Sequence, residues 1–208
     1  MANVERHEFF PTCLYRFKHD FKENELNNVI KHIEDNSLSE QNGQMIKRTG
    51  SQTQNELHKI DTFSNLTKTI IDVSKSILDE QGYMGEIEIT NMWGNILRPQ
   101  SQRAHAPHSH SNNFLSGVFY LKTSNDTSPI QFFDPRPQSD VLKPRKKEYN
   151  RLNSNIAQFQ SETGWGVVFP SWLVHWVPET KDERISIAWN IIVRGEYGEP
   201  NALQNAHI

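Results

Sequence analysis

One cysteine, Cys13, stands in a chain of 208 residues. No internal disulfide can form, and no cysteine-based zinc site can be built. Apolar runs are short, none near the roughly 20 residues that a membrane-spanning helix needs. A surplus of one charge is also missing: 22 Lys and Arg against 25 Asp and Glu leave a formal net charge of -3. Nothing global therefore draws the chain toward nucleic acid or an anionic membrane surface. The opening MANVERHEFFPT carries charges where a secretion signal would be apolar, so a cytoplasmic location is expected. Fixed-period repeats and low-complexity tracts are absent as well.

What is present suits a folded core. Mean hydropathy is low at -0.71, yet 11 Phe, 5 Trp and 5 Tyr gather with aliphatic residues into periodic runs. That pattern excludes wholesale disorder and fits one domain of this length. Leu26, Val29, Ile30 and Ile33 share one face of a helix. Leu66, Ile70, Val73 and Ile77 do the same in a second, with Ser64 or Asn65 as its cap and Gly82 as its end. Between them, residues 37–60 are polar, with Gly43 and Gly50, and read as an exposed connection.

From Glu86 the texture becomes β-like. EIEITNMWGNIL (86–97), FLSGVFYL (114–121), PIQFF (129–133), GWGVVF (164–169), WLVHWV (172–177) and RISIAWNIIV (184–193) are short apolar runs separated by Pro, Gly, Asn and Asp. Such a series predicts a mainly β sandwich or barrel with N-terminal helices packed outside. Residues 135–163 interrupt it with six basic residues against three acidic ones, Asp140 among them. That stretch is a solvated loop or a lid over a site.

Three of the nine histidines lie between 105 and 110. His108 and His110 flank Ser109, and in an extended segment they project from one face, where two imidazoles can hold one metal. A third ligand must come from elsewhere. His175, inside the apolar run WLVHWV, is the candidate; the alternative for it is a hydrogen-bonded core histidine. His105, in a Pro-bounded loop, reads as a surface or supporting group. His7, His19, His32, His58 and His207 read as surface residues.

Arg184 opens the last long strand. There Arg184, Ser186, Ala188 and Asn190 share one face, while Ile185, Ile187, Trp189 and Ile191 share the other. A guanidinium with a hydroxyl two residues on makes a fork for a carboxylate. The alternative is a surface ion pair with Asp182 or Glu183. Trp93, Trp165, Trp172, Trp176 and Trp189 either wall a cavity or fill the core.

With these residues in view, PHSHSNNFLSGVFYL (107–121), PIQFFDPRP (129–137), GWGVVFPSWLVHWVPET (164–180) and ERISIAWNIIVRG (183–195) resemble the iron(II)- and 2-oxoglutarate-dependent oxygenases. The resemblance is to a prolyl-hydroxylase-related type found in marine bacteria and phages, and it covers most of residues 86–195. It implies a double-stranded β-helix, the jelly roll or cupin-like fold, with residues 1–85 as support and 196–208 as a tail. It implies Fe(II), 2-oxoglutarate as cosubstrate and O2. His108, His110 and His175 would hold the metal, and Arg184 and Ser186 the far carboxylate, with Tyr120 supplying a phenol to it. Asn95 would stand at the near end of the cosubstrate, and Asn190 would line the same cavity. A phage-encoded protein of this kind would work in the host cytoplasm.

One departure matters. The superfamily's usual triad is two histidines and a carboxylate, and position 110 is histidine. Three imidazoles leave Fe(II) its full 2+ charge and favour zinc more than the usual set does. Asp134, in FFDPR, is the nearby carboxylate that could complete an ordinary triad instead. The competing readings are a three-histidine dioxygenase or zinc hydrolase without 2-oxoglutarate, and a non-catalytic jelly roll that binds a metal or ligand. The substrate stays open: a protein side chain, a free amino acid, a nucleobase or a small metabolite.

Overall fold

The helices form where the apolar stripes fall. Val29 and Ile33 are fully buried in α1 (Glu23–Asn36), and Leu66, Ile70 and Ile77 in α2 (Ser64–Gln81). Gly82 ends α2 in the left-handed conformation, φ 72°, with its N–H on the carbonyls of Asp79 and Leu78, the usual role of a glycine there. The start of α2 differs from expectation. Phe63 is the capping position and makes no side-chain cap, while Asn65 donates instead to Glu25 of α1 at 2.8 Å.

The computed structural model describes residues 4–41, 44–47, 51–100, 104–136, 138 and 141–208. Gly43, Gly50 and Asp140 lie outside them. The strands are β1 (Tyr15–Lys18), β2 (Leu38–Gln41), β3 (Gln44–Lys47), β4 (Glu86–Leu97), β5 (His105–His108), β6 (Leu115–Lys122) and β7 (Ile130–Phe133). They continue with β8 (Ile156–Phe159), β9 (Trp165–Pro170), β10 (His175–Val177), β11 (Arg184–Arg194), β12 (Glu196–Tyr197) and β13 (Ala206–His207). A five-stranded sheet runs β1-β9-β6-β11-β4 and a four-stranded one β5-β10-β7-β8, all antiparallel. This is the mainly β, double-stranded β-helix architecture with helices at the N-terminal side.

Alternation along the strands builds two cores. Phe119, Leu121, Ile185, Ile187, Trp189 and Ile191 face the helices and join Ile33, Phe63 and Leu66. Val118, Tyr120, Val167 and Phe169 face the other way and meet Ile130 and Phe132 of the small sheet. The large sheet is thus buried on both faces, which is why β6 reads as an almost unbroken apolar run.

Four expectations change. β1 joins the edge of the large sheet through β9, so the first 85 residues are not only helical support. Residues 51–56 are not a free connection either: they lie along the outer edge of β4, with backbone bonds from Thr53 to Gly94, Met92 to Asn55 and Ile96 to Ser51. They shield the edge that an open sheet would expose. Within WLVHWV only His175–Val177 is strand, and β8 arises inside the polar excursion.

Glycines let side chains rest directly on the sheet. A Cβ on Gly117 would stand 2.2 Å from the Trp189 indole, which is itself fully buried and has nowhere to move. Gly117→Ala is expected to lower stability by about 1–3 kcal/mol, the usual penalty for overpacking a core. Thermal unfolding checks it; an unchanged Tm would mean that the indole rotates away.

Candidate metal centre and cosubstrate pocket

Between the two sheets lies a cavity of about 540 Å³. At one end stand His108, His110 and His175, whose ligand atoms all lie within 4.8 Å of one another. Each arrives from a different local structure. His108 ends β5, directly across from His175 at the start of β10. His110 is not in a strand; its backbone N–H donates to the Ser171 carbonyl at 2.9 Å. Ser171 also donates its N–H to Phe114, and its hydroxyl meets Ser116 at 2.8 Å. The segment before His175 therefore anchors the loop that carries His110.

The tautomers follow from the partners. His175 Nδ1–H donates to the Leu173 carbonyl at 2.9 Å and His108 Nδ1–H to the Ala106 carbonyl at 2.6 Å. Both leave Nε2 with a free lone pair, the arrangement in which histidine binds a metal. The Nε2 atoms of His110 and His175 are 3.3 Å apart. Two nitrogens on one metal at about 2.1 Å and near-tetrahedral angles stand about 3.4 Å apart, so the donor set fits an ion. Burial pushes His175 and His110 down to about 4, with neighbouring imidazoles adding to it. Both are neutral at pH 7, as a ligand must be.

Asp134 does not belong to this centre. Its carboxylate accepts from the Arg136 guanidinium at 2.7 and 2.9 Å and from the Arg136 N–H at 3.0 Å, closing a turn after β7. Among the described residues the three histidines form the single group suited to a metal.

At the other end of the cavity lies Arg184, 1% exposed. Its Nε donates to Ser161 at 3.3 Å and its Nη1 to Ser186 at 3.1 Å. Its guanidinium lies 4.8 Å from the centre of the Tyr120 ring. Glu183 does not pair with it, binding Arg98 and Lys122 instead. Among the described residues no carboxylate neutralises Arg184. The Tyr120 hydroxyl is buried and has no partner.

The remaining candidates separate. Asn95 lines the cavity, its Oδ1 accepting from Gln52 at 2.8 Å and from the Trp93 indole at 3.2 Å. Asn190 does not line it. Its amide is engaged by Ser116 and Asn91, both at 2.6 Å, tying β4, β6 and β11 together beneath the metal loop. Trp93 alone of the tryptophans lines the cavity. Trp189 is core, Trp172 is 56% exposed, and Trp176 stacks outside on Phe133 at 4.2 Å. None of the described residues of 135–163 lines the cavity.

His105 corrects the surface reading: it lines the cavity, and its Nε2 is buried without a partner. In a regular strand, positions 105 and 108 would face opposite ways. Here three steps on β5 oppose two on β10, from His108 and His175 to His105 and Val177, and this bulge turns both imidazoles inward. His19, His32 and His58 are half-buried rather than on the surface, His19 bonding Thr69 at 2.8 Å. Gln52 and Ser161 carried no signal in the sequence, because each comes from a polar stretch with no pattern of its own, and Ser171, between Pro170 and Trp172 in an apolar run, has nothing local that points to the loop it binds.

Comparison with known proteins agrees with this geometry. The family described as "Putative 2OG-Fe(II) oxygenase" matches residues 91–190. The matched stretch is 100 of the 208 residues, and over it the chain resembles the 2OG-Fe(II) oxygenases. Its match spans β4 to β11 and so includes all three histidines, Arg184 and Ser186. No curated protein matches the sequence. Among solved structures, this chain is similar in fold to the non-heme alpha ketoglutarate dependent epimerase SnoN from nogalamycin biosynthesis. The two share 10% identity with TM-score 0.60, over 92% of this chain and 83% of that one. A prolyl-4-hydroxylase of Pseudomonas putida gives TM-score 0.55 at 13% identity, over 88% and 94%. A viral collagen prolyl hydroxylase from Paramecium Bursaria Chlorella virus-1 gives TM-score 0.53 at 10% identity, over 93% and 99%.

Two outcomes are expected. His110→Ala and His175→Ala should each lower Fe(II) or Zn(II) affinity at least 100-fold in competition with a chelator, whereas Asp134→Ala should leave it unchanged. The metal-free protein should also lose stability as the pH falls from about 6.5 to about 4. Unfolded imidazoles take up protons near 6.5 but the buried ones only near 4, so the unfolded state binds more protons in that window. Urea midpoints against pH should therefore slope less in His175→Gln than in the wild type.

Proposed function

We propose that the protein is a hydroxylase that couples oxidation of a small-molecule or peptide substrate to conversion of 2-oxoglutarate into succinate and CO2. One observation carries the reading: Arg184, fully buried in the cavity that the three histidines close, has no carboxylate partner among the described residues. A lone buried charge costs several kcal/mol. A dicarboxylate ligand would remove that cost, and a fork of Arg184 and Ser186 suits one carboxylate.

Bound iron supplies the oxidising chemistry with O2, one oxygen atom entering the keto acid and the other the substrate. The chain's own residues do the rest. His108, His110 and His175 hold the metal through Nε2, their tautomers set by the Ala106 and Leu173 carbonyls where those contacts exist. Arg184, Ser186 and Tyr120 hold the far carboxylate and fix the length of acid that fits. Asn95, kept in place by Gln52 and Trp93, presents its amide to the near end. Val118, Ile130, Phe169 and Val177 line the cavity with apolar surface and exclude water from it. Among the described residues no helix is long and apolar enough to cross a membrane.

The third histidine favours a second reading, a three-histidine enzyme that does not use 2-oxoglutarate. Anaerobic addition of 2-oxoglutarate to the Fe(II)-loaded protein separates the two. The first reading expects a metal-to-ligand charge-transfer band that Arg184→Ala weakens at least 100-fold in 2-oxoglutarate concentration. Iron binding without any such band in the wild type would overturn it.

A further inference from the structure

The proposed function leaves one buried polar group in the cavity without a role. His105, which lines the cavity, has an Nε2 that is inaccessible to solvent and makes no hydrogen bond among the described residues, a state shared by the Tyr120 hydroxyl beside Arg184. A buried donor without a partner is destabilising, and such an atom beside a ligand cavity marks where ligand polarity belongs.

Its position says which part of the ligand. β10 runs from His175 to Val177, and the chain then turns back into β11 at Arg184. His108 lies across from His175 and His105 across from Val177. Along β5, then, His108 stands at the metal end and His105 toward Arg184. The electrostatics agree. Burial pushes His105 down to about 4, and after burial the strongest influence on it is the positive charge of Arg184, ahead of His108. The imidazole is neutral at pH 7 and can offer an N–H at Nε2.

We propose that His105 is a cosubstrate-recognition residue, its Nε2–H donating to the far carboxylate of 2-oxoglutarate from the side opposite β11. Arg184 and Ser186 approach that carboxylate from β11, and Tyr120 from β6. His105 reaches it from the small sheet, so the anion is held by both sheets. This rests on the proposed function and adds to it a contact that selects acids with a charged far end over acids with an apolar one.

The test uses the Fe(II)-loaded protein under nitrogen, titrated calorimetrically with 2-oxoglutarate and with 2-oxopentanoate, which keeps the keto-acid end but lacks the far carboxylate. His105→Phe should weaken 2-oxoglutarate about tenfold, as loss of one hydrogen bond to a charged group does, and leave 2-oxopentanoate within about twofold. His105→Gln, which offers an N–H at a similar reach, should restore most of the difference. If His105→Phe leaves 2-oxoglutarate binding unchanged, or weakens both acids equally, the contact does not exist. Because a bulky substitution can disturb the fold, a second measurement uses the wild type. In the Zn(II)-loaded, nitrogen-15-labelled protein, the His105 Nε2 resonance should move on adding 2-oxoglutarate and not on adding 2-oxopentanoate; no movement overturns the proposal. Wild-type protein that holds iron and binds neither acid would instead overturn the use of 2-oxoglutarate itself.

Discussion

Strand β11 faces two surroundings that ask for opposite chemistry, and the fold is arranged around that conflict. One face, Ile185, Ile187, Trp189 and Ile191, is sealed under the helices. The other begins with Arg184 and Ser186, equally buried, inside the cavity. A guanidinium in such a place needs an anion, and only serine hydroxyls and the face of Tyr120 meet it among the described residues. Among the described residues no carboxylate offsets this buried charge, and the proposed 2-oxoglutarate would supply the counter-charge.

The opposite end of the cavity is its electrostatic complement. His110 and His175 are held neutral by burial and offer lone pairs without adding charge, beside His108. Replacing the superfamily's carboxylate by His110 leaves a bound divalent metal with its whole 2+ charge. A dicarboxylate lying between this metal and Arg184 would be attracted at both ends. Loss of the anionic ligand from the protein is thereby offset by a stronger hold on the anionic cosubstrate.

Positioning comes from groups that do not touch the cavity. Ser171 binds both ends of the loop that carries His110, and its hydroxyl continues through Ser116 to Asn190 and Asn91. Thr90, the extra residue where β4 slips one place against β11, reaches Asn113 in the same loop at 2.6 Å. Two candidate ligands 65 residues apart are thus tied to the same polar network and the same strands. Loops fixed at several points are a common foundation for sites that must be formed before ligand arrives.

Much of this was legible in one dimension. The stripes of α1 and α2, the stop at Gly82, the alternation of β11, the HxH spacing and the oddity of a histidine inside an apolar run all follow from periodicity and local chemistry. These signals survive because each depends on neighbours within about seven residues. Other features do not. β1 and β8 are too short and mixed to announce themselves, and become strands because β9 and β7 offer them an edge. Asn190 has the parity of a cavity residue, yet the neighbouring Ser116 and Asn91 engage its amide. His105 has the wrong parity, yet a bulge turns it inward. The amino-acid sequence alone determined which groups could bind a metal and an anion. Tertiary structure decided which of them face one cavity, because register, bulges and the closing of one sheet over another are set by contacts between distant segments.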